Sequence, residues 1–243
     1  MLALLCLCSQ YRGKMKIGGL QRVSLIDYPG LISAVIFLQG CNFKCSYCHN
    51  PELVDSSLFR TCIKENDVME FLETRKGKLD GVSITGGEPT IQEKLPAFIR
   101  QIKKMGFAVK LDTNGSRPHI IKNLTAEKLL DYIAMDIKAP LEKYKNIANA
   151  HIDPHSIKES IRLILDAKIP SEFRTTIVES QLYEEDIREI ADMISGAKKY
   201  VLQKFVPTKT LDSRFLKGKS LSDEKLQHIK NHIEQKISVV TIR

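Results

Sequence analysis

Three of the chain's six cysteines, Cys41, Cys45 and Cys48, fall within eight positions in the run QGCNFKCSYCHNPEL (residues 39–53). Their spacing is C-x3-C-x2-C, with Tyr47 directly before the last thiol. Thiols this crowded are metal ligands in kind, and their number discriminates among metals. Structural zinc is tetrahedral and takes four protein ligands, commonly as two pairs of the C-x2-C type. No second pair is present; His49 adjoins Cys48 and would be strained as a fourth ligand of the same ion, and Cys62 stands alone. Iron–sulfur clusters are held by cysteine thiolates. A four-iron cubane with three protein ligands leaves one iron open for a substrate or cofactor, as catalytic metal sites keep a position free. Three thiols rather than four therefore point to a fourth ligand that is not protein. A zinc-stabilised module, basic enough to engage nucleic acid, is the alternative of another class.

Further polar and glycine-rich motifs are TGGEPT (85–90), DTNGS (112–116) and DIK (136–138). The elements that must position them alternate regularly. Apolar runs at 33–40, 80–85, 107–113, 132–138, 171–178 and 199–206 read as strands, with a last one at 237–242. Amphipathic runs at 63–77, 92–106, 124–130, 156–168, 184–195 and 222–236 read as helices, the last opened by Ser222 as N-cap. Six strand–helix units predict an α/β fold with a parallel sheet and right-handed crossovers. Eight units would close a barrel, so six give an incomplete (β/α)6 TIM-like barrel in a single domain. Each motif follows a strand, and in such folds those loops converge on one catalytic face.

At 243 residues, 43% hydrophobic and 27% charged, the chain has the composition of an ordinary globular protein. No apolar run reaches the roughly 18 residues of a membrane span. Lys+Arg 37 against Asp+Glu 29 leaves a net charge of +8, but the lysines are scattered without interleaved aromatics. That reads as a solvated surface rather than a nucleic-acid footprint. The start, MLALLCLCSQYRGKMKIGGL, lacks the basic segment of a signal peptide. Residues 1–15 are therefore expected to be a disordered or mis-started extension, with no function for Cys6 and Cys8, and residues 16–243 the domain. Clustered cysteines without a secretion signal favour a reducing, cytoplasmic compartment.

The combination of C-x3-C-x-aromatic-C after one strand and Gly-Gly-Glu-Pro after the next resembles the radical S-adenosylmethionine (SAM) superfamily. GGLQRVSLIDYPG, QGCNFKCSYCHNPEL, LDTNG and MDIKAP are similar to anaerobic ribonucleoside-triphosphate reductase activating proteins, among the glycyl-radical-enzyme activases. The resemblance implies that Cys41, Cys45 and Cys48 hold one [4Fe-4S] cluster, with SAM chelating the fourth iron. It places Tyr47 against the adenine, lets the methionine end of SAM approach Gly86 and Gly87, and gives its ammonium to Glu88. Asp112 and Asn114 face the ribose; alternatively, Asp112 and Asp136 hold a monovalent cation, and the two roles of Asp112 stay open. Lys138 and Arg174 are candidates to neutralise the SAM carboxylate. The implied reaction is reductive cleavage of SAM to a 5′-deoxyadenosyl radical, which installs a glycyl radical on a partner reductase. No further cluster-type cysteine set lies between Cys48 and Gly86, so a flavodoxin or ferredoxin is expected as electron donor. A radical SAM enzyme acting on a small, modified-nucleoside type substrate is the runner-up. Cys62 reads as a small buried hydrophobe, and His228 and His232, four apart, as a solvated helix face. The basic stretch from Pro207 to Lys219 is expected to help dock the partner.

Overall fold

The run Ser33–Leu38 has no alternating polar face, the pattern of a parallel strand covered on both sides, and five of its six residues are buried. The computed structural model describes residues 15–243. Among them this run is β2 of an eight-stranded sheet. β1 (Ile17–Ser24) lies antiparallel to it. From β2 onward the strands are parallel and in sequence order: β3 (Gly81–Gly86), β4 (Ala108–Thr113), β5 (Tyr132–Asp136), β6 (Ser171–Ile177), β7 (Tyr200–Lys204) and β8 (Val240–Ile242). β1 and β8 are the open edges, so the barrel is incomplete, as the six repeating units predict.

The described helices are α1 (Pro51–Val54), α2 (Glu65–Glu73), α3 (Leu95–Lys104), α4 (Pro118–Ala126), α5 (Leu141–Ala148), α6 (Pro154–Asp166), α7 (Glu184–Met193) and α8 (Asp223–Ile233). Each of the longer ones buries an apolar stripe in the core. On α3 that stripe is Leu95, Phe98, Ile99 and Ile102, spaced for one helical face. Ser222 caps α8 as expected, its hydroxyl accepting from the Lys225 N–H at 3.3 Å.

Four elements differ from the sequence reading, one of them α1, a short turn after the cysteines that was not expected. β1 was not expected, because its two glycines and lack of alternation hide it; pairing with β2 makes it a strand. α4 starts at Pro118, six residues before the expected start at 124, since a proline suits a first helical turn. It ends before Lys128, whose φ of +55° turns the chain, and Leu129 and Leu130 are buried in the connection to β5. α5 was missed, although Leu141, Tyr144 and Ala148 carry a helical period; Asn149 ends it in the left-handed conformation. The expected extension lies outside the described residues except for Met15, which is 2% exposed and part of the core. Among the described residues no helix is long and apolar enough to cross a membrane.

Candidate functional site

β2 delivers the chain to Gly40, whose φ of +97° turns it into the cysteine loop. Backbone ties hold that loop on three sides. Gly40 N–H donates to the Leu53 carbonyl (2.7 Å), Glu88 N–H to the Gly40 carbonyl (2.8 Å) and Lys44 N–H to the Ala148 carbonyl (2.9 Å). Cys41, Cys45 and Cys48 line one cavity where the parallel strands end. Gly86 and Gly87 line it from β3, Asp112 and Asn114 from β4, and Asp136 and Lys138 from β5. The four sequence motifs therefore meet around one space, as the topology requires.

The donor set fits a cluster better than a zinc ion. Among the described residues, the three thiols do not form a group with sulfurs all within 4.8 Å of one another. A tetrahedral zinc with bonds of about 2.3 Å needs its sulfurs about 3.8 Å apart. The other two zinc candidates are committed elsewhere. His49 Nε2 meets the Val206 carbonyl at 2.8 Å, with its ring against Phe205, and the Cys62 thiol donates to Gln39 Oε1 at 3.2 Å. Burial pushes the Cys41 thiol up to about 12 and the Cys45 thiol to about 11, and raises Cys48 as well. Binding of a metal group by the thiolates would release these protons. The Phe43 N–H points at Cys41 Sγ from 3.4 Å, the kind of backbone donor that tunes a cluster.

The glycines of TGGEPT are required first by packing. Gly86 has a φ of +112°, and a Cβ there would lie 2.5 Å from the Leu38 nitrogen. A Cβ on Gly87 would lie 1.9 Å from the Gly40 carbonyl oxygen. The end of β3 therefore rests on the root of the cysteine loop, leaving its backbone open to the cavity. Glu88 does not face that cavity. It is 1% exposed, and its carboxylate accepts from the N–H and hydroxyl of Thr90, the Thr113 hydroxyl (2.7 Å) and the Asn114 N–H (2.6 Å). Burial raises its pKa, with these donors opposing. Glu88 thus ties the β3 turn to the β4 turn. Asn114 lines the cavity while its amide donates to Asn42 Oδ1 (3.0 Å), and Asn42 in turn donates to the Ser116 hydroxyl (2.8 Å). Tyr47 forms a buried wall of the cavity, edge-on to Phe205 at 6.5 Å. Its buried hydroxyl has no partner among the described residues, which suits a wall that a bound ligand completes.

Below the cavity runs a row of alternating charges. Lys110 pairs with Asp112 Oδ1, and Arg174 reaches Asp112 Oδ2 (3.3 Å) and Asp136 Oδ1 (2.8 Å). Lys138 meets Asp136 Oδ2 at 3.1 Å. Burial disfavours ionisation of Asp136, but the guanidinium and ammonium beside it hold the carboxyl well below the usual range. Lys138 lines the cavity; Arg174 instead lines a lower space at the other end of the lumen, with Lys110, Glu172 and Arg243. Lys110 was missed in the sequence, although a lysine two residues before Asp112 in an apolar strand must share its face. Asn42, Thr113 and Ser116 were missed too, because short polar residues in turns carry no distinctive signal.

The stretch from Pro207 to Lys219 lies against the cysteine loop: Leu211 N–H donates to the Cys48 carbonyl (3.1 Å) and Asp212 N–H to the Ser46 carbonyl (2.9 Å). Two of its four basic residues are already paired, Lys209 with Glu52 and Arg214 with Asp212, each at 2.6 Å. His228 and His232 are exposed on α8, and Glu184, itself paired with Arg188, comes within 4.8 Å of both.

Comparison with known proteins bears on this geometry. A Methanocaldococcus jannaschii protein named for glycyl-radical enzyme activation is 37% identical over 237 residues, 95% of this chain and 96% of that one. A 7-carboxy-7-deazaguanine synthase of Thermococcus kodakarensis is 26% identical over 200 residues, 73% of this chain and 76% of that one. Among solved structures, Streptococcus suis SuiB bound to S-adenosylmethionine shares the fold with a TM-score of 0.63 at 15% identity. That match covers 84% of this chain and 47% of SuiB, so this chain spans about half the length of that protein. Residues 35–194, from β2 into the turn after α7, match the Radical SAM superfamily. The chain belongs to the radical SAM superfamily, whose cofactors are a [4Fe-4S] cluster and S-adenosylmethionine.

Proposed function

We propose that this protein is a glycyl-radical-enzyme activase whose target is an anaerobic ribonucleoside-triphosphate reductase. The observation that carries this reading is the near end-to-end likeness, at 37% identity, to a protein named for glycyl-radical-enzyme activation. When bound, the cluster and SAM supply a one-electron cleavage whose adenosyl product takes a hydrogen atom from the target glycine. Cys41, Cys45 and Cys48 hold the cluster. The backbone at Gly86 and Gly87 would receive the methionine end, and Lys138, which lines the same cavity, would neutralise its carboxylate. Tyr47 packs on the adenine, and Asp112 and Asn114 lie toward the ribose. Glu88 positions the two turns on which Gly87 and Asn114 sit, and any contact with the SAM ammonium adds to that role. Exclusion of water and oxygen falls to the walls of Phe43, Tyr47 and Val54. In this reading the electron donor is an external flavodoxin or ferredoxin in the cytoplasm, supported by Cys62 alone standing outside the loop among the described residues.

Isotope transfer tests the assignment. A partner reductase labelled with deuterium at glycine Cα should pass the label into 5′-deoxyadenosine when mixed with reduced protein and SAM. Unlabelled 5′-deoxyadenosine would count against a glycine target. The second reading, a small-molecule reaction of the modified-nucleoside type, is favoured by the 26% identity to the deazaguanine synthase. It would gain if label appeared only from a small substrate.

A further inference from the structure

Asp112 and Asp136 end neighbouring strands, and the family resemblance offers the pair as a candidate holder of a monovalent cation. The donor set here does not suit one, because all four carboxylate oxygens already accept from protein cations, whose charge repels a further cation. Asp112 Oδ1 takes Lys110, and Asp112 Oδ2 and Asp136 Oδ1 take the two sides of the Arg174 guanidinium. Asp136 Oδ2 takes Lys138. Three cations against two carboxylates leave one positive charge in excess within a partly dehydrated lumen. The nearby Glu172 does not restore the balance, since it is 1% exposed and paired with Lys199 at 2.7 Å.

We infer that Arg174, backed by Lys110, takes the place of a monovalent cation, so that this protein binds SAM without potassium or sodium. Two features make the arrangement a built one. Lys110 is 2% exposed and its ammonium is held on Asp112. Arg174 enters from the lower space, leaving the upper cavity to Asp112, Asp136 and Lys138. A fixed guanidinium holds the two carboxylates at a set separation, as a bound ion would, and planar fork geometry suits it to bridging them. Lys138, with one contact to Asp136, keeps donors for the SAM carboxylate.

The inference rests on SAM occupying this cavity, and it is read as affinity, so its failure is separate from any failure of the glycyl-radical assignment. SAM is titrated into cluster-loaded protein in choline, sodium and potassium chloride at one ionic strength. The wild type should show the same affinity within twofold in all three. Arg174→Gln vacates the bridge, so its affinity in choline should fall at least tenfold and recover in potassium or sodium. Lys110→Met should acquire a weaker dependence of the same sign. The inference is overturned by a wild-type affinity that rises tenfold with either ion. It is equally overturned by an Arg174→Gln protein with full cluster content whose lost affinity no ion restores. Should that variant fail to fold, the wild-type ion series still decides.

Discussion

The two halves of the barrel carry different loads at their strand ends. β2 to β5 end in the cysteine loop, the glycine turn, the Asp112–Asn114 turn and the Asp136–Lys138 pair, all on one cavity. β6 to β8 give that cavity Thr176 alone, while Arg174 serves it from beneath. Behind the second half, α7 and α8 bury Ile187, Ile190, Leu226, Ile229 and Ile233 in an ordinary apolar layer. The difference teaches that the residues proposed to hold the cofactors are concentrated in the first half, while the second supplies a wall, a charge and an apolar layer. Substitutions in the two halves should therefore fail in different ways.

The sharpest contrast is loss of the cluster. Cys45→Ala should abolish the [4Fe-4S] EPR signal and SAM cleavage, whereas Cys62→Ala, with its thiol turned to Gln39, should keep both. A normal cluster in Cys45→Ala would break the assignment. In the second half, Ile229→Ala removes a fully buried side chain and should cost about 2–5 kcal/mol of stability. Its folded fraction should nevertheless hold as much iron per molecule as the wild type; a proportionate loss of iron would mean that the halves are not separable.

Smaller effects refine the picture. Glu88→Gln replaces an acceptor of four hydrogen bonds, so the Asn114 turn should loosen by about 1.5–3 kcal/mol. Cluster content should persist while SAM affinity drops by tenfold or more in calorimetry; unchanged affinity would mean that the tie between the two turns does not bear on SAM. The Asp136 effect depends on pH. Because its folded pKa is depressed, its stabilisation is present above the unfolded value of about 3.9 and is lost as pH falls through the folded one. Urea titrations should show a constant gap between wild type and Asp136→Asn from about pH 5 to 8, shrinking below about pH 4. A gap that closes at high pH would contradict the ion pairing.

Much of the first half was legible because its chemistry demands rare residue types at fixed spacing. Three cysteines cannot be mistaken for packing, and the glycines at 86 and 87 mark a turn with no room for Cβ. The parallel order followed from repetition. What the sequence hid were features decided by tertiary partners. β1 is a strand because β2 is beside it, and Glu88 faces three backbone and hydroxyl neighbours rather than the cavity because of how two turns meet. The ion row was half visible: Asp112, Asp136, Lys138 and Arg174 stood out, but their pairing with each other did not. The basic stretch after β7 looked free in sequence, yet its backbone is strapped to the cysteine loop.

One measurement tests the central claim most directly, that the first half's cofactor chemistry is aimed at a protein glycine. Reduced, cluster-loaded protein is mixed anaerobically with SAM and an anaerobic ribonucleoside-triphosphate reductase, and the mixture is examined by EPR. The account predicts a doublet glycyl-radical signal on the reductase, absent with Cys45→Ala and absent without SAM. Cleavage of SAM with no radical on any glycyl-radical partner, and turnover only of a small molecule, would contradict it.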